Sequence, residues 1–491
     1  MPGSESIEHG AGPLPAIPAL VPAGERGHRF VCYADCCSGI PGRGNVERFA
    51  AVNAVLQRLD PPPEFICFPG DEIQGLVADP ALLREQWRFW FDEEMSWLDR
   101  DAIPLYHTTG NHTVYDPQSE TIFRDVMAHL PRNGPPGQEG LSYVVRRGDL
   151  VMVFVNTLWS GLGGEGRVET DWLEATLATH SDATCKLVFG HHPIFAVNGF
   201  SGVCQREIEP ENGRAFWDIL VRHGVTAYCC SHVLAFDVQV HQGVLQMLTA
   251  GAGTEPGMPE SEYRHLVQIA IDRGGVRYQV LDATGMRREW LTWPPALPPS
   301  TDWADWPQTD VKEGEGEGEE SGPGAPEMIA WRFTAKWSSD GRGDPQTLLC
   351  GWNPGIGLET IWIGLRGPEQ RLCVLLSPEP GRSPHLWLGP ALCETGVGEP
   401  ELLADVPSGR LADSFQIAIH QGMGPGGILW RWDDQSPWTS MTAASPWGAE
   451  RITWPTHWGI GHSRGDVHAQ PFRGDGLGVS GFRKPVTPLH P

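Results

Sequence analysis

No apolar run in this chain approaches the roughly 20 residues needed to cross a bilayer as a helix. No segment near its start joins a basic stretch to an apolar centre as a secretory signal does. No Cys-x-x-Cys pair occurs among its 11 cysteines. The first two absences argue against a membrane span and an export signal. Residues 1–27, rich in Gly, Pro and Ala and carrying Glu5, Glu8 and Glu25, are therefore expected to be a flexible leader to a cytoplasmic protein. The odd cysteine count without metal- or redox-type spacing fits a reducing compartment rather than a disulfide framework. Positive charge is also scarce. The 36 Lys and Arg against 61 Asp and Glu leave a net charge of −25, which argues against binding a nucleic-acid backbone. A small phosphorylated substrate stays compatible, because bound cations dominate the charge of such sites locally.

A length of 491 residues exceeds what one core supports, so two domains are the default. In residues 28–292, short apolar runs alternate with helical periodicity. Arg29 to Tyr33, Phe65 to Phe68, Ile103 to Tyr106, Val151 to Val155, Lys186 to Phe189 and Val225 to Tyr228 read as buried strands. Helices are expected over Asn45 to Leu59, stopped by Pro61-Pro62-Pro63, over the Trp-rich Leu82 to Leu98, over Thr170 to Leu177 and over Phe216 to His223. Leu266 to Ile271 and Val276 to Leu281 read as an antiparallel hairpin. This alternation predicts an α/β sandwich.

Residues 293–326 change character. A Pro-rich stretch leads into Glu313 to Glu320, where Glu and Gly alternate, and nothing there can bury an apolar face, so a self-repelling linker is expected. Residues 327–491 read as all-β. Ile329, Trp331, Phe333, Ala335 and Trp337 alternate with polar or small residues, and further strands are expected at Thr360 to Leu365, Arg371 to Leu376, Phe415 to Ile419 and Gly427 to Trp432. With 60 Gly, 44 Pro and 21 Trp, the chain is turn-rich and Trp-heavy, as such a sandwich requires. The end, Gly459-Ile460-Gly461 followed by Phe472 to Leu477, resembles the closing hairpin of laminin-G or concanavalin-like jelly rolls. No cluster there is specific enough to name a sugar.

The chemistry concentrates in five segments at predicted strand exits: Ala34-Asp35-Cys36-Cys37, Gly70-Asp71-Glu72, Gly110-Asn111-His112, Gly190-His191-His192-Pro193 and Ser231-His232-Val233-Leu234. Oxygen and nitrogen ligands at the carboxyl ends of parallel strands are where an α/β sheet builds active sites. Each segment alone also has a structural reading. Asp35 and Asp71 could be helix caps, Gly110-Asn111-His112 a turn, and His191 or His232 a core histidine.

Taken in order, the segments resemble the calcineurin-like metallophosphoesterases, a group that includes purple acid phosphatases. Their pattern reads Asp-x-His, Gly-Asp, Gly-Asn-His, a lone His, then Gly-His-x-His. The resemblance implies a four-layer α/β/β/α domain and one or two divalent or trivalent transition metals (zinc, iron or manganese). It implies Asp71 as the bridging carboxylate and Asn111, His191 and His232 as the remaining ligands of the second metal position. His112 is implied as proton donor or phosphate contact near the leaving group.

The first position would take Asp35 and Asp71, but Cys37 stands where the family has His, and Leu234 where it has its last His. Gln74 stands where the purple-acid branch has Tyr. Cys37 can coordinate as a thiolate, which favours zinc or iron, or can be an inert replacement. Leu234 cannot coordinate. The implied function is phosphate mono- or diester hydrolysis by metal-activated water. The alternative is a degenerate domain serving as a binding scaffold, with a lectin-like sandwich that takes a carbohydrate or protein partner. His192 and the stretch Glu207 to Glu211 could shape a pocket, and Cys36 or Cys37 could approach Cys230.

Overall fold

The computed structural model describes residues 14–24, 26–158, 166–197, 208–254, 263–306, 326–336, 343–353, 359–377, 384–392, 414–444, 452, 454–462 and 471–485. The first half is built on two six-stranded sheets packed face to face. One runs in the order Arg287–Trp293, Gly275–Asp282, His265–Asp272, His28–Cys32, Phe65–Phe68, Leu105–His107. The other runs Phe236–His241, Val244–Thr249, Ala227–Cys230, Cys185–Phe189, Leu150–Phe154, Tyr143–Arg147. The strands that lead into the five motif segments pair parallel with one another in each sheet. Their carboxyl ends therefore lie on one side.

Strand alternation sorts the layers. Leu150, Met152 and Phe154 join the core between the sheets, whereas Val151 and Val153 belong to a second core with Leu173 and Leu177 of helix α4 (Thr170–Thr179) and Phe216 and Trp217 of helix α5 (Pro210–Arg222). Helices α1 (Gly44–Leu56), α2 (Pro80–Phe89) and α3 (Pro117–Val126) bring Phe49, Val52, Trp87 and Phe123 to the opposite face. The result is the α/β/β/α order implied by the motifs. Among the described residues, no helix is long and apolar enough to cross a membrane.

Several expectations change in detail. The Trp-rich helix is α2 followed by a π-helical turn, Trp90–Glu94, which aims Glu94 back at the Gly39 backbone N–H (2.8 Å) and the Ser38 hydroxyl (3.1 Å). Helix α1 ends at Leu56, because Leu59–Asp60 pairs with Ile17–Pro18. Residues 14–24, expected within a flexible leader, lie along the first sheet. Leu20 is buried, and its N–H and C=O both bond the Gln268 side chain (2.8 and 3.0 Å). Ile17 and Ala19 supply apolar contacts that the Gly/Pro composition hid.

The second half is strand-rich, with two six-stranded antiparallel sheets. One contains Ala304–Asp305, Asp475–Pro485, Pro326–Lys336, Ser414–His420, Ile428–Arg431 and Thr439–Ser440. The other contains Thr442–Ala443, His385–Ala391, Arg371–Leu376, Glu359–Arg366, Gln346–Trp352 and His457–Ile460. The expected closing hairpin is not one: His457–Ile460 pairs with Gln346–Trp352, whereas Asp475–Pro485 pairs with Pro326–Lys336 in the opposite sheet. Pairing to different sheets makes this segment a crossing. The expected linker also begins late, since Trp303 and Trp306 are buried and Ala304–Asp305 joins the sandwich. Its glutamate run lies outside the described residues.

The two halves share a core. In Pro326–Lys336, Ile329, Trp331 and Phe333 face the sandwich interior, while Met328 and Ala330 face the first half. The segment Gln421–Gly427 runs against the edge strands Phe236–His241 and Arg287–Trp293. A Cβ on Gly426 would occupy the Val238 carbonyl, and one on Gly422 the Trp290 carbonyl. Val240 N–H donates to Ser440 Oγ (2.9 Å) and Gln242 N–H to Thr439 Oγ1 (3.2 Å), so the sandwich satisfies an edge that would otherwise stay open. Replacing Gly426 with Val is expected to destabilise the protein by about 1–3 kcal/mol through overpacking, read as a lowered thermal midpoint in calorimetry. An unchanged midpoint would refute the tight backbone approach.

Candidate metal centre

Three of the motif loops leave their strands through turns that ordinary residues avoid. Asp35 (φ 59°), Cys37 (φ 41°), Asp71 (φ 59°) and His232 (φ 75°) all have left-handed backbone conformations. Such strain persists only where surrounding contacts over-determine it, and it clusters at functional sites. The flanking glycines are dictated by contact. A Cβ on Gly110 would fall on the Asp71 carboxylate, and one on Gly70 would meet His191 Nδ1 at 2.8 Å. The Gly-Asp and Gly-Asn-His motifs are thus steric consequences of bringing three loops to one carboxylate.

Four side chains converge there. His191 Nε2 lies 2.9 Å from Asn111 Oδ1 and 3.3 Å from Asp71 Oδ2. His232 Nδ1 lies 2.9 Å from the same Asn111 oxygen and 3.2 Å from His191 Nε2. His191 is oriented by its other nitrogen, Nδ1, which donates to the Pro69 carbonyl (2.8 Å), with the Ser231 hydroxyl alongside. With the proton on Nδ1, neutral His191 turns a lone pair inward, the usual arrangement for a metal-ligating imidazole. Lone pairs crowded to about 3 Å are the edge lengths set by a cation with ligands at about 2.0–2.2 Å. The residues therefore fit a metal, held by Asp71, Asn111, His191 and His232.

The electrostatics agree. Burial pushes Asp35 up to about 7. Burial also works against Asp71 ionising, but the neighbouring His191 and His112 outweigh it and bring Asp71 down to about 2. Burial alone would lower His191, yet the Asp71 and Asp35 carboxylates carry it up to about 9. Two buried carboxylates thus call for positive charge, which a proton on His191 or a cation can supply.

Cys37, Asp71 and His112 form a second group whose donor atoms lie within 4.8 Å of one another, sharing Asp71 with the Asp71, His191 and His232 group. Asp35, expected as a ligand of the first position, belongs to neither. Its Oδ2 accepts the His232 backbone N–H (3.1 Å) and so holds the strained His232 turn. Leu234 packs against the apolar core that includes residues of α4 and α5. His112 bonds the Gln74 carbonyl through Nδ1 (2.7 Å), and its backbone N–H donates to Asp71 Oδ1 (2.8 Å).

The remaining expectations separate. His192 stays out of both groups. Its Nδ1 meets the Thr157 hydroxyl (2.9 Å), its ring lies 4.5 Å from that of His232, and burial keeps it neutral. Glu209 caps α5 and Glu211 opens its first turn, so neither shapes a pocket, while Glu207 lies outside the described residues. Cys36 donates to the Glu72 carbonyl (2.8 Å) and receives the Trp90 indole N–H (3.4 Å), and it is Cys32 that hydrogen-bonds Cys229.

Two supporting residues were missed from the sequence. Glu72, next to Asp71 and fully buried, meets His107 Nδ1 at 2.7 Å. Burial raises Glu72 and lowers His107 to about 3, so the pair is a neutral acid donating to a neutral imidazole. A glutamate directly after Gly-Asp, at the end of an otherwise apolar strand, was the available signal.

Residues 28–236 match the family model of the calcineurin-like phosphoesterases. This family generally binds divalent metals. A comparison with curated proteins gives no match. Among solved structures, the chain is similar to the GAP50 anchor in the inner membrane complex of Plasmodium (15% identity, 55% of this chain and 89% of that one, TM-score 0.38). It is also similar to purple acid phosphatase PPD1 from yellow lupin seeds (12% identity, 54% and 53%, TM-score 0.40). A dimetal phosphatase from Danio rerio is a third (16% identity, 52% and 95%, TM-score 0.36).

Gly110→Ala is expected to reduce the bound metal, measured by elemental analysis, to near zero while circular dichroism stays native. Full metal content in that variant would contradict the steric account. Glu72→Gln, which keeps a donor for His107, should change stability by less than about 1 kcal/mol, whereas Glu72→Ala should cost about 1–3 kcal/mol by orphaning a buried imidazole. Urea unfolding separates the two.

Proposed function

We propose that this protein is a metal-dependent phosphoesterase acting on a small phosphate mono- or diester through the centre at Asp71. The observation that carries this reading is the convergence of Asn111 Oδ1, His191 Nε2, His232 Nδ1 and Asp71 Oδ2 within hydrogen-bonding distances. When bound, a divalent ion there supplies Lewis-acid polarisation of a phosphoryl oxygen and a water acidified toward neutrality.

The chain's own residues do the rest. Pro69 and Ser231 hold the His191 tautomer, while Asp35 and Thr254 brace the loops. Thr254 bonds the Asp35 carbonyl (2.5 Å) while Asp35 Oδ2 holds the His232 turn. Asn45 donates its amide to the Cys36 and Cys37 carbonyls (3.1 and 3.0 Å), pinning the loop after Asp35.

His112 is the acid. The Gln74 carbonyl takes its Nδ1–H, so the proton available to a leaving oxygen is the one on Nε2 of the imidazolium. The sandwich, fixed to the edge of the domain, is proposed to position a carbohydrate or protein-linked substrate.

His112→Ala is expected to lower turnover of an aryl phosphate by about 10²–10⁴-fold, with at least one metal per chain retained. Equal turnover in the variant would remove His112 from the mechanism.

A further inference from the structure

Among the described residues, the exposed large apolar side chains are Leu14, Val21, Leu76, Leu82 and Met286, and of these Leu76 alone has a left-handed backbone (φ 53°). An L-residue adopts that conformation against its own preference, and glycine would fit it freely. Burial does not repay the strain, since Leu76 is 54% exposed. Its neighbours impose it. Gln74 N–H donates to the Ser38 carbonyl (2.8 Å), and the Gln74 carbonyl accepts from His112 Nδ1 (2.7 Å). Gly75 N–H donates to Gln86 Oε1 (2.8 Å). The Tyr115 hydroxyl receives the Val77 N–H (2.9 Å) and donates back to the Val77 carbonyl (2.7 Å). A Cβ on Gly75 would overlap the His112 carbonyl, so the two backbones touch. Leu76 is thus held in one place beside His112, exposed and strained, a combination that marks function rather than stability.

The apolar surface extends away from it. Val77 and Tyr115 are half-buried against the core, and Leu82, in the first turn of α2, is 50% exposed. The one charged residue between positions 76 and 82, Asp79, spends its carboxylate on the Ala81 N–H (2.8 Å). Asp71 and His191 are buried, whereas Asn111, His112 and His232 are half-buried, so the centre opens to solvent at these last three. Leu76 lies beside one of them. We infer that Leu76 is a specificity residue, and that the apolar lip it forms with Val77 and Leu82 takes the organic group of a substrate whose ester oxygen carries an aryl or alkyl group. The inference rests on the phosphoesterase reading, which puts His112 at the leaving oxygen, because a group on that oxygen leaves the centre past His112. An apolar group there removes the exposed leucine from water, whereas a charged one would lose hydration with no partner in return.

The full-length protein, loaded with Zn²⁺, is titrated in a calorimeter with phenylphosphonate and with methylphosphonate at a pH where both are dianions. Neither contains an ester, so binding is read without turnover. Phenylphosphonate should bind about tenfold more tightly, and Leu76→Asp should bring the ratio below about twofold. Leu76→Gly should lower the ratio as well, while its thermal midpoint holds or rises because the left-handed backbone is relieved. A residue kept for packing would instead lower the midpoint. Equal binding of the two phosphonates by the unaltered protein, binding of neither, a preference that survives both substitutions, or a lower midpoint in Leu76→Gly overturns the inference. The preference without any hydrolysis of phenyl phosphate upholds the lip and refutes the phosphoesterase reading. Hydrolysis of phenyl phosphate with equal phosphonate binding upholds that reading and refutes the lip.

Discussion

The Asp71 carboxylate is the constraint around which the first half of the molecule is arranged. One oxygen faces His191 and the other receives the His112 backbone N–H, while the Gly110 backbone lies where any side chain would collide with it. Because the carboxylate is buried, its charge has to be met within a few ångströms, and the cost of leaving it unmet is large. Left-handed turns at Asp35, Cys37, Asp71 and His232 are how three strand exits are bent tightly enough to meet it. The two facing sheets supply the stiffness that holds such turns in place, since parallel strands end in register on one side. The neutral Glu72–His107 pair continues this support into the core without adding a second charge.

The sandwich is part of the same physical unit. Its first sheet is buried on both faces, by the sandwich interior on one side and by the edge strands of the first half on the other. That explains the sequence of Pro326–Lys336, in which small or flexible residues, Met328 and Ala330, alternate with Ile329, Trp331 and Phe333. The glycines of Gln421–Gly427 allow backbone to meet backbone at the junction, and side-chain hydroxyls of Thr439 and Ser440 close the open edge. A module fixed this way holds one orientation relative to the domain that carries the candidate metal centre.

Much of the architecture was legible in the residues themselves. Period-2 and period-3.6 patterns located most of the strands and helices, and the motif order implied the four layers. What the pattern missed, it missed for physical reasons. Residues 14–24 are Pro- and Gly-rich, so no periodicity shows, yet Leu20 and Ile17 dock on the sheet. The π-helical turn at Trp90–Glu94 has the composition of an ordinary helix. The final strands 457–460 and 475–485 look like a hairpin because local sequence does not state which sheet each will join. Of the site, Asp71, Asn111, His191 and His232 were expected as a set because the order of the five motifs resembles the calcineurin-like metallophosphoesterases. Asp35 was expected as a ligand of the first metal position. That its oxygen holds the His232 backbone is a long-range contact between residues 197 positions apart.

Residue types and their order determined the α/β character of the first half and the side of the sheet on which its polar motifs lie, because these follow from local periodicity, and the resemblance of the motif order to a known family showed which of its ligands are replaced. Only the tertiary structure decided that Leu234 packs against an apolar core, that Cys37 lies beside Asp71 and His112, and that Cys36 bonds the Glu72 carbonyl and the Trp90 indole instead. Those orientations depend on where two sheets and five loops come to rest against one another, and on hydrogen bonds such as the one from His112 to the Gln74 carbonyl, which selects the nitrogen left free. Distances of 3 Å between residues far apart in the chain are set by packing, and no reading of neighbours along the sequence contains them.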